Sequence, residues 1–243
     1  MSGQEDLLAK LRQTLREQGI DSFHILEELV PIEEQMAWFR YFDKLRKENN
    51  PFVRDEEVAA LFSPDESVER KKRSLTLLAS IPDVGAYRSI ETYHSSPAEP
   101  ELLHWSAMAL VSSRIVLSSD LSGQQQVYIS SGLGGLDKKL RFFTLFLTSN
   151  RQDLSTLQKE IVEREFTFQL HMAGVVTEKF EIKHNYFTLL ILLPFDKDVH
   201  ACLHAAVNEC NQYGNFLDPK FLFTNVKVLS EKEIENLMKK KQL

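Results

Sequence analysis

The residues best suited to chemistry in this 243-residue chain are few and lie in its second half. The run Ser130-Ser131-Gly132-Leu133-Gly134-Gly135-Leu136-Asp137-Lys138-Lys139 sets three glycines ahead of two lysines. Successive glycine amides can form an anion-binding nest, and neighbouring ammonium groups add charge. Gly132, Gly134, Gly135, Lys138 and Lys139 are therefore the candidate anion site. A phosphate loop, however, runs from strand to helix with Lys-Ser/Thr at the helix start. Here the sequence continues Arg141-Phe142-Phe143-Thr144-Leu145-Phe146-Leu147, which has strand composition. A long hairpin loop, whose glycines supply positive φ, is the favoured reading.

His200 and His204 stand four apart in a predicted helix, the spacing that brings two imidazoles to one face as in many metal sites. On the helical wheel they share the polar flank with Asn208 and Asn211, while Val199, Leu203, Ala206, Val207 and Cys210 form the apolar arc. The thiols then point to the core and cannot complete a His/Cys set. The segment His200-Ala201-Cys202-Leu203-His204 also lacks the glutamate of the zinc-protease motif. The pair reads as solvated, so no metal and no cofactor is expected. No G-x-S-x-G occurs and neither cysteine has an activated setting, which leaves nucleophilic catalysis without a candidate. The run Arg70-Lys71-Lys72-Arg73 falls in a helix, which spreads its charges around the axis.

These residues must be positioned by elements that the hydrophobic periods outline. From residue 4 to about 119 apolar residues recur at three and four, predicting helices at 4–18, 22–48, 55–62, 66–80, 84–95 and 99–118. Pro31 starts or kinks a helix, and each later break pairs a proline with turn formers. The helix at 99–118 is apolar on all sides, which predicts burial on all sides. Beyond it, strands are expected at 126–130, 141–148, 175–183, 187–193 and 220–229, and helices at 153–172 and 197–213. Asp153 is the expected N-cap of the first, and Ser230 with Glu233 predicts a capping box on a final helix. The helix at 153–172 carries two apolar stripes. One holds Leu154, Leu157, Ile161, Phe168 and Met172 and is assigned to the sheet. The other, with Val162, Phe166 and Leu170, is the candidate interface, facing either the N-terminal helices or a partner.

The stretch 71–117, with Arg73-Ser74-Leu75-Thr76-Leu77-Leu78-Ala79 and Glu101-Leu102-Leu103-His104-Trp105, resembles the helical hairpins of HEAT-like repeats. Residues 141–229 resemble the ferredoxin-like fold in their β-α-β-β-α-β element order. The expected fold is α+β: an N-terminal antiparallel helical region, 1–120, packed against a C-terminal ferredoxin-like antiparallel sheet with helices, 121–243. Ferredoxin-like folds host many unrelated functions, so the resemblance implies none.

Residues 1–120 carry a net charge of -7 and residues 121–243 one of +1. An acidic half repels polyanions, which disfavours nucleic acid as a partner. The uncharged stretches 102–113 and 186–195 fall short of the ~20 residues that cross a bilayer. With no signal-like start and two free thiols, the chain is expected to be cytoplasmic, without membrane contact. The leading functional expectation is a noncatalytic interaction or adaptor protein with an unidentified protein partner, and self-association is left open. The alternatives are a small-molecule or nucleotide-binding protein, including an enzyme, using a cleft between the halves, and RNA binding through strand aromatics such as Phe221 and Phe223.

Overall fold

The computed structural model describes residues 23–48, 50–123, 126–194 and 199–240, so the helix expected at 4–18 lies outside the described residues. The protein is α+β, and its described residues divide into two compact units, 23–130 and 131–240.

The first unit is helical. Strand β1 (Phe23–Ile25) precedes α1 (Ile32–Glu48), α2 (Arg54–Phe62), α3 (Val68–Leu78), α4 (Val84–Ser95), a short 3₁₀ turn (Pro100–Leu102), α5 (Leu103–Ser122) and β2 (Val127–Ile129). The predicted helix at 22–48 is thus a strand followed by a helix. Pro31, which lacks an N–H and fixes φ, stands just outside α1, and its carbonyl accepts from the Gln35 amide at 3.1 Å. The freed segment 23–25 pairs in parallel with β2. Helix starts follow local chemistry: Ser67 caps α3, and the Asp83 carboxylate accepts from the Ala86 amide at 2.7 Å to cap α4. That backbone hydrogen bond is the main cause holding the Asp83 carboxyl below its ordinary range. Gly123 ends α5 in the left-handed conformation at φ 64°.

The apolar core of this unit gathers Trp38, Leu61, Leu75, Leu78, Ile90, Leu102 and Trp105, with the two indoles edge-to-face at 5.2 Å. Helix α5 is buried from Trp105 to Ala109 but only half-buried over Leu110, Val111 and Ile115–Leu117, and Leu121 is exposed. All-round burial therefore holds only for 105–109, with Leu103 at the helix start 45% exposed. The basic run on α3 spends its charges in four directions, as a helix of 100° per residue requires. Arg70 grips Glu57 bidentately, Lys71 is buried against Glu99, Lys72 lies 5.2 Å over the Trp105 ring, and Arg73 approaches Glu48 at 3.9 Å.

The second unit contains β3 (Gly135–Leu136), β4 (Lys139–Leu147), α6 (Thr156–Met172), β5 (Val176–Ile182), β6 (Tyr186–Pro194), α7 (Val199–Asn211), β7 (Leu222–Thr224) and α8 (Glu231–Lys240). The sheet runs β5-β6-β4, with β3 and β7 both on the free side of β4, and every pairing is antiparallel. This is the ferredoxin-like order. Ser155, not Asp153, caps α6: its hydroxyl accepts from the Gln158 amide while the Gln158 side chain returns to the Ser155 amide. The Ser-x-x-Gln capping box satisfies two orphan amides where a lone aspartate satisfies one. Ser230 and Glu233 form the expected box at α8. Two bonds to Ser230 and an ion pair with Lys227 pull the Glu233 carboxyl down to about 2, the Lys227 contact being the largest cause.

Strand period puts Phe142, Thr144 and Phe146 of β4 opposite Ile191, Leu189 and Phe187 of β6 on the first face, which α6 and α7 cover. Phe146 and Phe187 stack there at 4.8 Å, and Phe166 of α6 meets both edge-on. The alternate residues Phe143, Leu145 and Leu147 fall on the second face and pack against Leu133 and against Ile234 of α8. A strand apolar on both sides is explained here by the final helix lying over its second face.

Candidate functional site

The glycine run is built into the fold. Asp137 and Lys138 adopt φ of 49° and 60°, making a two-residue turn that joins β3 to β4 in the register Leu136 to Lys139. Two consecutive positive-φ residues are what a tight hairpin needs, so the hairpin partner of β4 is the short β3, while the expected partner at 126–130 pairs elsewhere. The Leu133 amide donates to the Asn225 carbonyl at 3.0 Å and the Gly134 amide to Ser131 at 3.2 Å, so two amides of the run serve the fold. Gly132, Gly134 and Gly135 are buried, Lys138 is exposed at the turn, and Lys139 begins β4.

Gly132 is needed for close approach. A Cβ there would lie 1.9 Å from the Val226 carbonyl oxygen. The same contact draws 225–229 off the sheet, which limits β7 to three residues where the composition predicts ten. Gly132→Ala is expected to destabilise this unit by about 1–3 kcal/mol, the usual range for overpacking. Urea unfolding followed by far-UV circular dichroism checks it; an unchanged midpoint contradicts the contact.

The histidine pair stacks on aromatics. His200 lies 5.3 Å from Phe221, His204 lies 4.9 Å from it, and the two imidazoles are 5.7 Å apart. Among the described residues no group of three His, Cys, Asp or Glu could hold a metal. Cys210 is fully buried, and burial pushes its thiol up to about 12; burial also raises Cys202.

The two stripes on α6 do not divide as expected. Val162, Phe166 and Leu170, expected at an interface, are buried core residues on the sheet. Of the stripe expected on the sheet, Leu154 and Ile161 are buried, but Leu157, Phe168 and Met172 are 65%, 57% and 70% exposed. The cause is the capping point and the lie of α7. Both stripes are apolar, and only the docking of α6 beside α7 decides which residues turn inward. The strand aromatics are likewise internal, because Phe221 is buried and Phe223 stacks on Phe142 at 4.4 Å.

A serine-histidine-glutamate array occurs in the helical unit. His94 meets Ser106 through Nδ1 at 2.8 Å and Glu28 through Nε2 at 2.8 Å. Ser106 is wholly buried and its hydroxyl donates to the Leu103 carbonyl, so no substrate carbonyl can reach Oγ. The array fastens the 26–30 segment to α4 and α5.

The best-formed site in the second unit was not singled out by sequence. A cavity of about 280 Å³ opens between the second face of the sheet and α8. Phe143, Leu190 and Ile234 line it with apolar surface, Tyr186 and Thr188 add polar tips, and Lys179, Glu181 and Lys183 project from alternate positions of and just beyond β5. Lys179 pairs with Glu181 at 3.0 Å and Lys183 with Glu231 at 3.2 Å. Burial is the main cause raising the Tyr186 phenol. The alternation Lys-x-Glu-x-Lys in a predicted strand was the available signal.

No family description matches the chain, and none of the curated proteins matches it. Two solved structures are similar in part. A protein from Deinococcus radiodurans R1 named as a candidate transposase is 14% identical, with a TM-score of 0.35 over 43% of this chain and 89% of that one. A REP-associated tyrosine transposase bound to a REP hairpin is 14% identical, with a TM-score of 0.32 over 42% of this chain and 64% of that one. Both neighbours carry transposase names, against the expectations of a noncatalytic adaptor and of nucleic acid as a disfavoured partner, and neither expectation is kept. At this identity the likeness gives the present chain no activity. Among the described residues no helix is long and apolar enough to cross a membrane.

Proposed function

We propose that residues 131–240 bind single-stranded nucleic acid by taking an unpaired base into the wedge between the sheet and α8. The wedge itself supports this reading: an apolar slot of about 280 Å³, with the Tyr186 ring among its walls and two lysines at its border, one on β5 and one just beyond it. A base is a flat apolar body with a phosphate one sugar away, and base-aromatic stacking contributes about 1–3 kcal/mol whatever the sequence. A duplex hides those faces. Each lysine has a carboxylate partner, but the pairs are solvent-exposed and such pairs contribute only about 0–1 kcal/mol, so phosphate can replace Glu181 and Glu231 at little cost. The balance of two amines and two carboxylates gives no strong field, so stacking carries the affinity and salt matters modestly.

Fluorescence anisotropy with a short labelled oligothymidylate tests it. Saturable binding of the single strand and not of the duplex is expected, with a log-log salt slope of about -1.4 for two phosphates. Tyr186→Ala should weaken binding about tenfold or more with the circular dichroism spectrum unchanged, and the Lys179→Glu/Lys183→Glu double variant should weaken it by a smaller factor and flatten the salt slope. No binding, or full binding by the double variant, overturns the reading.

A further inference from the structure

The helical unit holds a second, larger cavity that the nucleic-acid reading does not use. It measures about 460 Å³ and lies among the end of α1, the end of α3, Phe52 and Val116 of α5. Small-molecule sites commonly occupy about 300–1,000 Å³ and combine apolar walls with a few polar groups that fix orientation. Phe42, Leu45, Leu77 and Ile81 supply such walls. The two hydroxyls inside are already committed, the Thr76 hydroxyl donating to the Lys72 carbonyl at 2.7 Å and accepting from the Trp105 indole at 3.2 Å and Ser80 donating to the Leu77 carbonyl at 2.6 Å, while Asn50 is exposed at the edge. A ligand body seated against these walls leaves neither hydroxyl without a partner.

One lining residue is different. Arg46 stands exposed in the last turn of α1 and, like Arg40 and Arg151, forms no ion pair among the described residues, and of these three it alone is in the lining of this cavity. A guanidinium at the rim of an apolar cavity matches a carboxylate by two parallel hydrogen bonds. We propose that this cavity binds an apolar monocarboxylate, with the aliphatic or aromatic body against Phe42, Leu45 and Leu77 and the carboxylate on Arg46. An aqueous anion alone would gain nothing from the walls, and a neutral apolar molecule would leave Arg46 unused.

The only two tryptophans of the chain report on this cavity directly. Trp38 lies 5.9 Å from Phe42, and Trp105 hydrogen-bonds Thr76. Decanoate, added to the full chain below its micelle concentration, is expected to change tryptophan emission saturably. Decanol should bind about tenfold more weakly and inorganic phosphate not at all. Arg46→Ala should bring decanoate to the level of decanol, Arg46→Lys should fall between, and Ser80→Phe, which fills the cavity from an exposed position, should remove both responses without lowering the melting temperature. No saturable change overturns the proposal. So does equal binding of acid and alcohol, or a decanoate response that both Arg46→Ala and Ser80→Phe leave intact.

Discussion

Glu99→Ala is expected to destabilise the helical unit by about 3–5 kcal/mol, the cost of leaving a buried charge without its partner. Lys71 is only 1% exposed, and its ammonium donates to Glu99 at 2.5 Å while the Tyr93 hydroxyl donates to the other carboxylate oxygen. Removing Glu99 strands both donors. Replacing both charges, as in Lys71→Met/Glu99→Ala, should recover more than half of the loss, because the desolvation cost of the ammonium disappears with it. Both tryptophans lie in this unit, so their fluorescence during urea unfolding isolates the effect. A double variant no more stable than the single one contradicts the account.

The same cluster sets an acid limb. Burial alone would raise the Glu99 carboxyl, but the hydrogen bonds from Lys71 and Tyr93 outweigh it and hold the group below its ordinary range. A carboxyl depressed in the folded state binds protons more weakly there than in the unfolded chain. Its contribution is therefore complete above the unfolded value, about 4.3 for glutamate, and is lost as pH falls through the lower folded value. Wild type should lose stability over that acid range more steeply than Glu99→Gln.

Phe166→Ala is expected to cost about 3–5 kcal/mol and Phe168→Ala less than about 0.5 kcal/mol, two residues apart on one helix. Phe166 is fully buried, edge-on to Phe146 at 4.8 Å and to Phe187 at 4.9 Å, so truncation opens a cavity among rings that cannot collapse into it. Phe168 points outward beside Thr167 and His171. The unit of residues 131–240 has no tryptophan, so far-UV circular dichroism is the appropriate probe. Equal costs at the two positions would mean that α6 docks in the other orientation.

The features legible in the sequence are local. The helices α2, α3 and α4, the strands β4, β5 and β6, and the Ser230-Glu233 cap follow from periods and side chains a few residues apart, and the ferredoxin-like order follows from the succession of those elements. Tertiary structure alone decided which residues of the two apolar stripes on α6 turn inward, because composition does not distinguish Phe166 from Phe168 until α7 and the sheet are in place. It alone placed 23–25 beside 127–129 and Gly132 against Val226, contacts of about 90 to 100 residues' separation that no local pattern encodes. It also turned Lys71 from one charge in a basic run into a buried ion. The candidate sites divide the same way. Glycines and histidines that looked chemical in one dimension proved to be a hairpin and an aromatic stack, while the wedge at Lys179 and Lys183 and the cavity at Arg46 exist only where separate elements meet.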